Sequence, residues 1–94
     1  MIKNERKFAD WIEKNEHNSN DQIATSIKHL NVVSILIGEE LSEKNLFNEN
    51  CIEIISKKLR GLRSEKSILN YKLALKQYVK MIENSRKTTL ANNL

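Results

Sequence analysis

The scarcity of residues that interrupt helices is the strongest constraint on the fold of this chain. Its 94 residues include no proline and only two glycines. Proline ends or kinks a helix, and both residue types supply the tight turns of β-hairpins. A chain of this length also has enough apolar residues for only one core. The sequence therefore predicts a single all-α domain over residues 1–86, followed by a frayed tail over 87–94, where apolar residues lack helical spacing.

Capping residues mark the first two predicted helices. The first is expected over 4–14, with the asparagine at position 4 as its N-cap. Ser19 is followed three residues later by Gln22, which is the spacing of a capping box, so the second helix is expected to begin there. Its end has two interpretations. Gly38 suits the left-handed residue that terminates a helix, or residues 39–41 extend the helix further.

The second helix is also the most apolar, because residues 32–37 contain a single polar side chain. This composition predicts a central helix whose C-terminal end is buried nearly all round. A polar connector over 42–47 leads to Asn48, the expected N-cap of the third helix, and Ser64 is the expected N-cap of the fourth. The inward faces of helices three and four are expected to carry Ile52, Ile55, Leu59, Leu62, Ile68, Tyr71, Ala74, Leu75, Tyr78, Met81 and Ile82. Together these patterns predict a small four-helix orthogonal bundle.

The residues that enzymes and metal sites need are scarce. The single cysteine, Cys51, excludes an internal disulfide and a cysteine-based zinc site, and His17 and His29 have no ligand arrangement around them. There is no glycine-rich phosphate loop and no nucleophile elbow. We therefore expect no catalysis by this chain alone, no cofactor and no bound metal.

The apolar segments are too short for a membrane protein. No apolar run approaches the roughly 20 residues that cross a bilayer, and the N-terminal residues lack the apolar centre of a secretory signal. With a single cysteine, this pattern predicts a cytoplasmic protein in a reducing environment, without a membrane partner.

Charge is distributed unevenly along the chain, although the net charge is only +4. Residues 1–31 carry five basic and five acidic side chains, residues 32–53 carry one basic and five acidic, and residues 54–94 carry ten basic and two acidic. A small domain with its positive charge in one half commonly binds a polyanion. The alternative is that these lysines and arginines only solvate exposed helix faces.

The basic residues of the C-terminal half form two groups, one around the end of the third helix and one repeating every four residues along the fourth. Like charges at this spacing repel by a few tenths of a kcal/mol, which a bound polyanion would relieve. Contact with about six phosphates would give a steep salt dependence. Base reading is not expected, because no recognition helix is evident. The residues expected to contact the DNA backbone are Lys57, Lys58, Arg60, Arg63, Lys66, Lys72, Lys76 and Lys80.

Several segments together resemble one known helical domain. They are FADWI at 8–12, SNDQI at 19–23, the helix ending IG at 37–38, LF at 46–47, and NYKLALKQYV at 70–79. They are similar to the N-terminal helical domain that precedes the nuclease in HNH-type and other restriction endonucleases. That domain is itself similar to the SAM-like core-binding domain of tyrosine recombinases and phage integrases.

The resemblance implies a helical module that grips DNA beside a separate, fused catalytic domain. The nuclease domain and the recombinase's catalytic arginines, histidine and tyrosine have no counterpart in this chain, so it corresponds to a fragment or to a stand-alone relative. The acidic stretch from Glu39 to Glu53 departs from a uniformly basic DNA clamp, so the contact surface is expected to lie away from it. Two alternatives remain open: a protein-interaction bundle of the bacteriocin-immunity or antitoxin type, and a homodimer joined along the second helix.

Overall fold

Four α-helices make up most of the part of the chain that the structure describes. The computed structural model describes residues 2–93, with side chains described as far as Arg86. The helices are α1 (Glu5–Asn15), α2 (Asn20–Ile37), α3 (Glu49–Leu59) and α4 (Glu65–Asn93). The prediction of an all-α four-helix bundle is confirmed. The predicted fraying over 87–94 concerns residues whose side chains lie outside the described part, so it stays a prediction.

Helices α2 and α3 begin and end where local chemistry indicates. Ser19 Oγ accepts a hydrogen bond from the Gln22 N–H, and Gln22 Oε1 accepts one from the Ser19 N–H, which completes the predicted capping box. Helix α2 ends at Gly38, whose φ of +69° is the left-handed conformation that glycine adopts without strain. The alternative extension over 39–41 is therefore wrong. Asn48 Oδ1 accepts a hydrogen bond from the Cys51 N–H and caps α3 as predicted.

The start of α1 differs from the prediction. Asn4 occupies the N-cap position, but its φ of 64° is left-handed and its side chain makes no capping hydrogen bond. Its Nδ2 instead donates to Glu43 Oε2 at 3.2 Å, in the connector between α2 and α3. The preceding backbone is held to the same connector, because the Lys3 N–H donates to Leu41 O at 2.8 Å. Tertiary pairing therefore takes the side chain away from the helix amides.

The core lies between α2 and α4, each of which packs against the other and against both α1 and α3. The predicted central position of α2 is thus shared with α4. The fully buried apolar side chains are Phe8, Ile12, Leu30, Val33, Leu41, Leu46, Ile52, Leu59, Leu75, Tyr78 and Met81. The expectation that 32–37 is buried nearly all round is wrong, because Ile35 is 73% exposed. Neighbouring elements cover only one side of this end of α2.

The predicted inward faces of α3 and α4 are otherwise largely confirmed. Tyr78 is fully buried, with its ring centroid 5.7 Å from that of Phe8 and its hydroxyl donating to Lys3 O at 2.8 Å. Tyr71 is half-buried against the core. Leu62 is the exception and is exposed, because α3 ends at Leu59 and residue 62 lies in the turn that follows. Among the residues that the structure describes, no helix is long and apolar enough to cross a bilayer.

Candidate nucleic-acid interface

The eight predicted contact residues occupy two separate surfaces. The first, named here the basic turn, contains Lys57, Lys58, Arg60, Arg63 and Lys66 and runs from the last turn of α3 to the first turn of α4. The second, the α4 stripe, contains Lys72, Lys76 and Lys80. Seven of the eight residues are exposed, and Lys72 is half-buried.

The backbone of the basic turn is tightly closed. Leu59 O accepts hydrogen bonds from the Leu62 N–H at 3.0 Å and from the Arg63 N–H at 3.2 Å, and the Leu59 side chain is fully buried. Gly61 has a φ of +88°, in the region where a side chain would be strained. The Arg60 and Arg63 side chains therefore extend from one compact turn that is anchored in the core.

The C-terminal end of α3 and the N-terminal end of α4 have opposite electrostatic effects on the lysines of the basic turn. Lys57 and Lys58 lie in the last turn of α3, where cations are stabilised by the negative end of the helix dipole. This placement gives the two lysines a structural role without any ligand. Lys66 lies in the first turn of α4, where the partial positive charge of the helix N-terminus adds to its own. Anions bind favourably at such a helix start when basic side chains surround it.

Three of the eight cations are already paired with carboxylates. The N–O distances are 2.9 Å from Lys58 to Glu39, 3.2 Å from Lys72 to Glu53, and 3.5 Å from Lys80 to Glu16. Exposed pairs of this kind contribute about 0–1 kcal/mol to stability, so their larger effect is to neutralise local positive charge.

These pairs correct one expectation from the sequence. The acidic stretch does not lie away from the basic residues, because Glu39 and Glu53 contact one residue of each surface. The packing of α3 between the connector and α4 brings the two signs of charge together.

The cations without such a pair lie mainly in the basic turn. Within the described part of the chain, no ion pair to a carboxylate forms at Lys57, Arg60, Arg63, Lys66 or Lys76. Arg63 Nη1 donates to Leu62 O at 2.7 Å, which leaves its other N–H groups for a ligand. Four of these five residues belong to the basic turn, so the structure favours the turn over the α4 stripe as the surface for an anion.

Two exposed leucines were missed by the sequence reasoning. Leu69 and Leu73 lie between the lysines on the outward side of α4 and are 62% and 64% exposed. The signal is present in the sequence, because residues 66, 69, 73, 76 and 80 follow the i, i+3, i+7, i+10, i+14 spacing of one helix face.

The histidines and the cysteine have ordinary surroundings. His29 lies against Tyr71 with ring centroids 5.4 Å apart, and burial, followed by the nearby charge of Lys28, lowers the pKa of His29. The Cys51 thiol is buried at the start of α3. Among the described residues, no three histidine, cysteine, aspartate or glutamate side chains are grouped as metal ligands would be.

Comparison with known proteins gives no relative on which to base a function: no family model, curated protein or solved structure matches this chain. The resemblance to the N-terminal domain of restriction endonucleases and to the recombinase core-binding domain therefore stays a prediction.

Proposed function

We propose that this protein binds the phosphate backbone of duplex DNA through the basic turn, without reading base sequence. The observation that carries the proposal is that four cations of the basic turn, Lys57, Arg60, Arg63 and Lys66, form no ion pair with a carboxylate among the described residues. The fused or partner catalytic domain that the resemblance implies belongs to the same proposal, with this chain as its non-catalytic DNA-binding module.

The chemistry of the turn suits phosphates rather than bases. Lysine and arginine are the side chains that most often contact phosphate oxygens, and such contacts position a protein without specifying sequence. The turn carries no asparagine or glutamine to pair with adenine, and its arginines lie on a short turn rather than on a recognition helix that enters the major groove. Four phosphate contacts predict that log K falls with log salt concentration with a slope of about −3.6.

The first prediction compares two double variants with the same change in net charge. Arg60→Ala/Arg63→Ala removes two unpaired cations, whereas Lys72→Ala/Lys80→Ala removes two that are already paired with carboxylates. Affinity for a fluorescein-labelled duplex is measured by anisotropy from about 50 to 200 mM salt. We expect the arginine variant to weaken binding and to lower the salt slope by about 2, since each lost phosphate contact lowers it by about 1. The lysine variant should keep the wild-type slope.

The two double variants distinguish DNA binding at the basic turn from a general effect of net charge. Equal weakening by both variants would mean that only net charge matters and that the turn is not a site. Affinity of the wild-type protein that is unchanged between low and moderate salt would exclude backbone binding altogether. Thermal unfolding of both variants controls for the fold, and exposed substitutions of this kind are expected to change stability by less than about 0.5 kcal/mol.

A further inference from the structure

The outward side of α4 carries an apolar pair flanked by positive charge, named here the leucine face. It consists of Leu69 and Leu73 with Lys66 on one side and Lys76 and Lys80 on the other, all exposed. Single exposed apolar residues are normal on a protein surface. Two leucines on adjacent turns, at the spacing of a helix–helix contact, form a continuous apolar strip instead.

The leucine face borders a groove between α2 and α4. Two adjoining recesses of about 350 and 330 Å³ share Asn18, Leu73 and Gln77 in their lining. The first continues along α2, where Ser26 Oγ donates to Gln77 Oε1 at 3.0 Å, and the second continues past Lys76 to Lys80. Along α4 the groove extends from Asn70 to Lys80, about 15 Å at 1.5 Å per residue. Leu73 is therefore part of the rim of a concave surface, and Leu69 lies one turn of α4 away from it.

Charge decides which occupant fits this face. A second copy of the chain is disfavoured, because an antiparallel pairing of Leu69 with Leu73 places Lys66 of one copy opposite Lys76 of the other. A parallel pairing places each lysine opposite the same lysine of the other copy, so like charges face each other in this arrangement too. DNA gains nothing from the leucines, since its backbone offers no apolar surface there. An acidic partner satisfies both the apolar strip and its lysine borders.

We infer that the leucine face, outside the groove whose lining includes Asp21 and Glu16, binds an amphipathic helix of a protein partner with carboxylates beside its apolar stripe. A helix is the fitting partner because its backbone hydrogen bonds are internal and its apolar residues repeat with the spacing of Leu69 and Leu73. Lys76 is unpaired among the described residues and can turn to the partner's carboxylates, whereas Lys80 already contacts Glu16 at 3.5 Å. This surface shares Lys66 with the DNA contact proposed above, but the inference rests on the two leucines and does not depend on DNA binding.

The test uses a designed helical peptide of about three heptads, with leucines at the a and d positions and glutamates beside them. A scrambled peptide of the same composition is the control ligand. We expect the wild-type protein to bind the amphipathic peptide at least tenfold more tightly than the scrambled one, by fluorescence anisotropy. Leu69→Ser/Leu73→Ser should weaken this binding at least tenfold. The matched control is Ile35→Ser/Ile54→Ser, which removes two exposed apolar side chains elsewhere and should leave the affinity unchanged.

Three results would overturn the inference. They are equal binding of both peptides, equal effects of the two double variants, and a wild-type dimer in sedimentation equilibrium that Leu69→Ser/Leu73→Ser dissociates. Duplex DNA binding measured on the same leucine variant should stay at the wild-type level. Loss of DNA binding in that variant would show that the two surfaces are one, which also contradicts the inference.

Discussion

Tyr78 connects the longest helix to the N-terminal segment, and replacing it with phenylalanine tests that connection. The ring is fully buried against Phe8, and the hydroxyl donates to Lys3 O at 2.8 Å. Tyr78→Phe keeps the ring and removes the hydroxyl together with this hydrogen bond. We expect a loss of about 1 kcal/mol, because a hydrogen bond within a protein contributes about 0.5–1.5 kcal/mol net. Unfolding entropy of about 2.1 cal/mol/K per residue converts this loss to a fall in Tm of about 5 °C.

The assay is thermal and urea unfolding, followed by far-UV circular dichroism and by the fluorescence of Trp11, the chain's only tryptophan. Tyr71→Phe is the matched control, because the Tyr71 side chain is only partly buried and no hydrogen bond from its hydroxyl is found among the described residues. The control should change stability by less than about 0.5 kcal/mol. Wild-type stability in Tyr78→Phe, or equal losses in both variants, would refute the reasoning.

Alkaline pH gives a second readout of the same residue. Burial is the main cause that raises the pKa of the Tyr78 hydroxyl. The unfolded chain therefore releases this proton at a lower pH than the folded protein does. The contribution of Tyr78 is complete below pH about 10, and it is lost as pH rises towards the folded-state pKa. Wild-type stability should thus fall more steeply above pH about 10 than that of Tyr78→Phe.

Two further substitutions have defined outcomes. Gly61→Ala should lower the free energy of unfolding by about 1–2 kcal/mol, measured in urea, because the φ of +88° is strained for a residue with a side chain. No atom lies within 4 Å of the added Cβ, so backbone strain rather than a steric clash is the cause. An unchanged urea midpoint would contradict this strain. His29 has a lowered pKa, so the unfolded chain binds more protons than the folded protein as pH falls below about 6.5, and stability should decrease there. His29→Gln should flatten this acidic decline in the urea midpoint, and a pH profile equal to that of the wild type would exclude the burial effect.

Helix boundaries were predictable wherever a single residue and its near neighbours determine them. Ser19 and Asn48 cap the helices that follow them, and Gly38 ends α2, because each acts on backbone groups within a few residues. Asn4 and Ile35 were not predictable in the same way. The side chain of Asn4 is bonded to a residue 39 positions away, and the exposure of Ile35 depends on which side of α2 its neighbours cover.

The same distinction applies to the candidate site. The positions of the basic residues along α3 and α4 follow from helical spacing, so the sequence could group them correctly into a turn and a stripe. Which of them keep a free charge depends on carboxylates far along the chain: the Lys58 partner is 19 residues away and the Lys80 partner is 64 residues away. No local pattern contains that information.

The basic turn and the α4 stripe differ more in how many of their basic residues form ion pairs than in how many basic residues they contain. A lysine held at about 3 Å from a carboxylate offers a phosphate little net charge, since the ligand must compete with the carboxylate for the same donors. Lys72 and Lys80 are in this position, and the exposed Leu73 between them adds apolar surface that a phosphate cannot use. The basic turn has the opposite character, with unpaired arginines beside a helix start and a backbone closed onto buried Leu59. One helix therefore presents a surface suited to a polyanion at its beginning and one suited to an acidic, partly apolar partner along its middle.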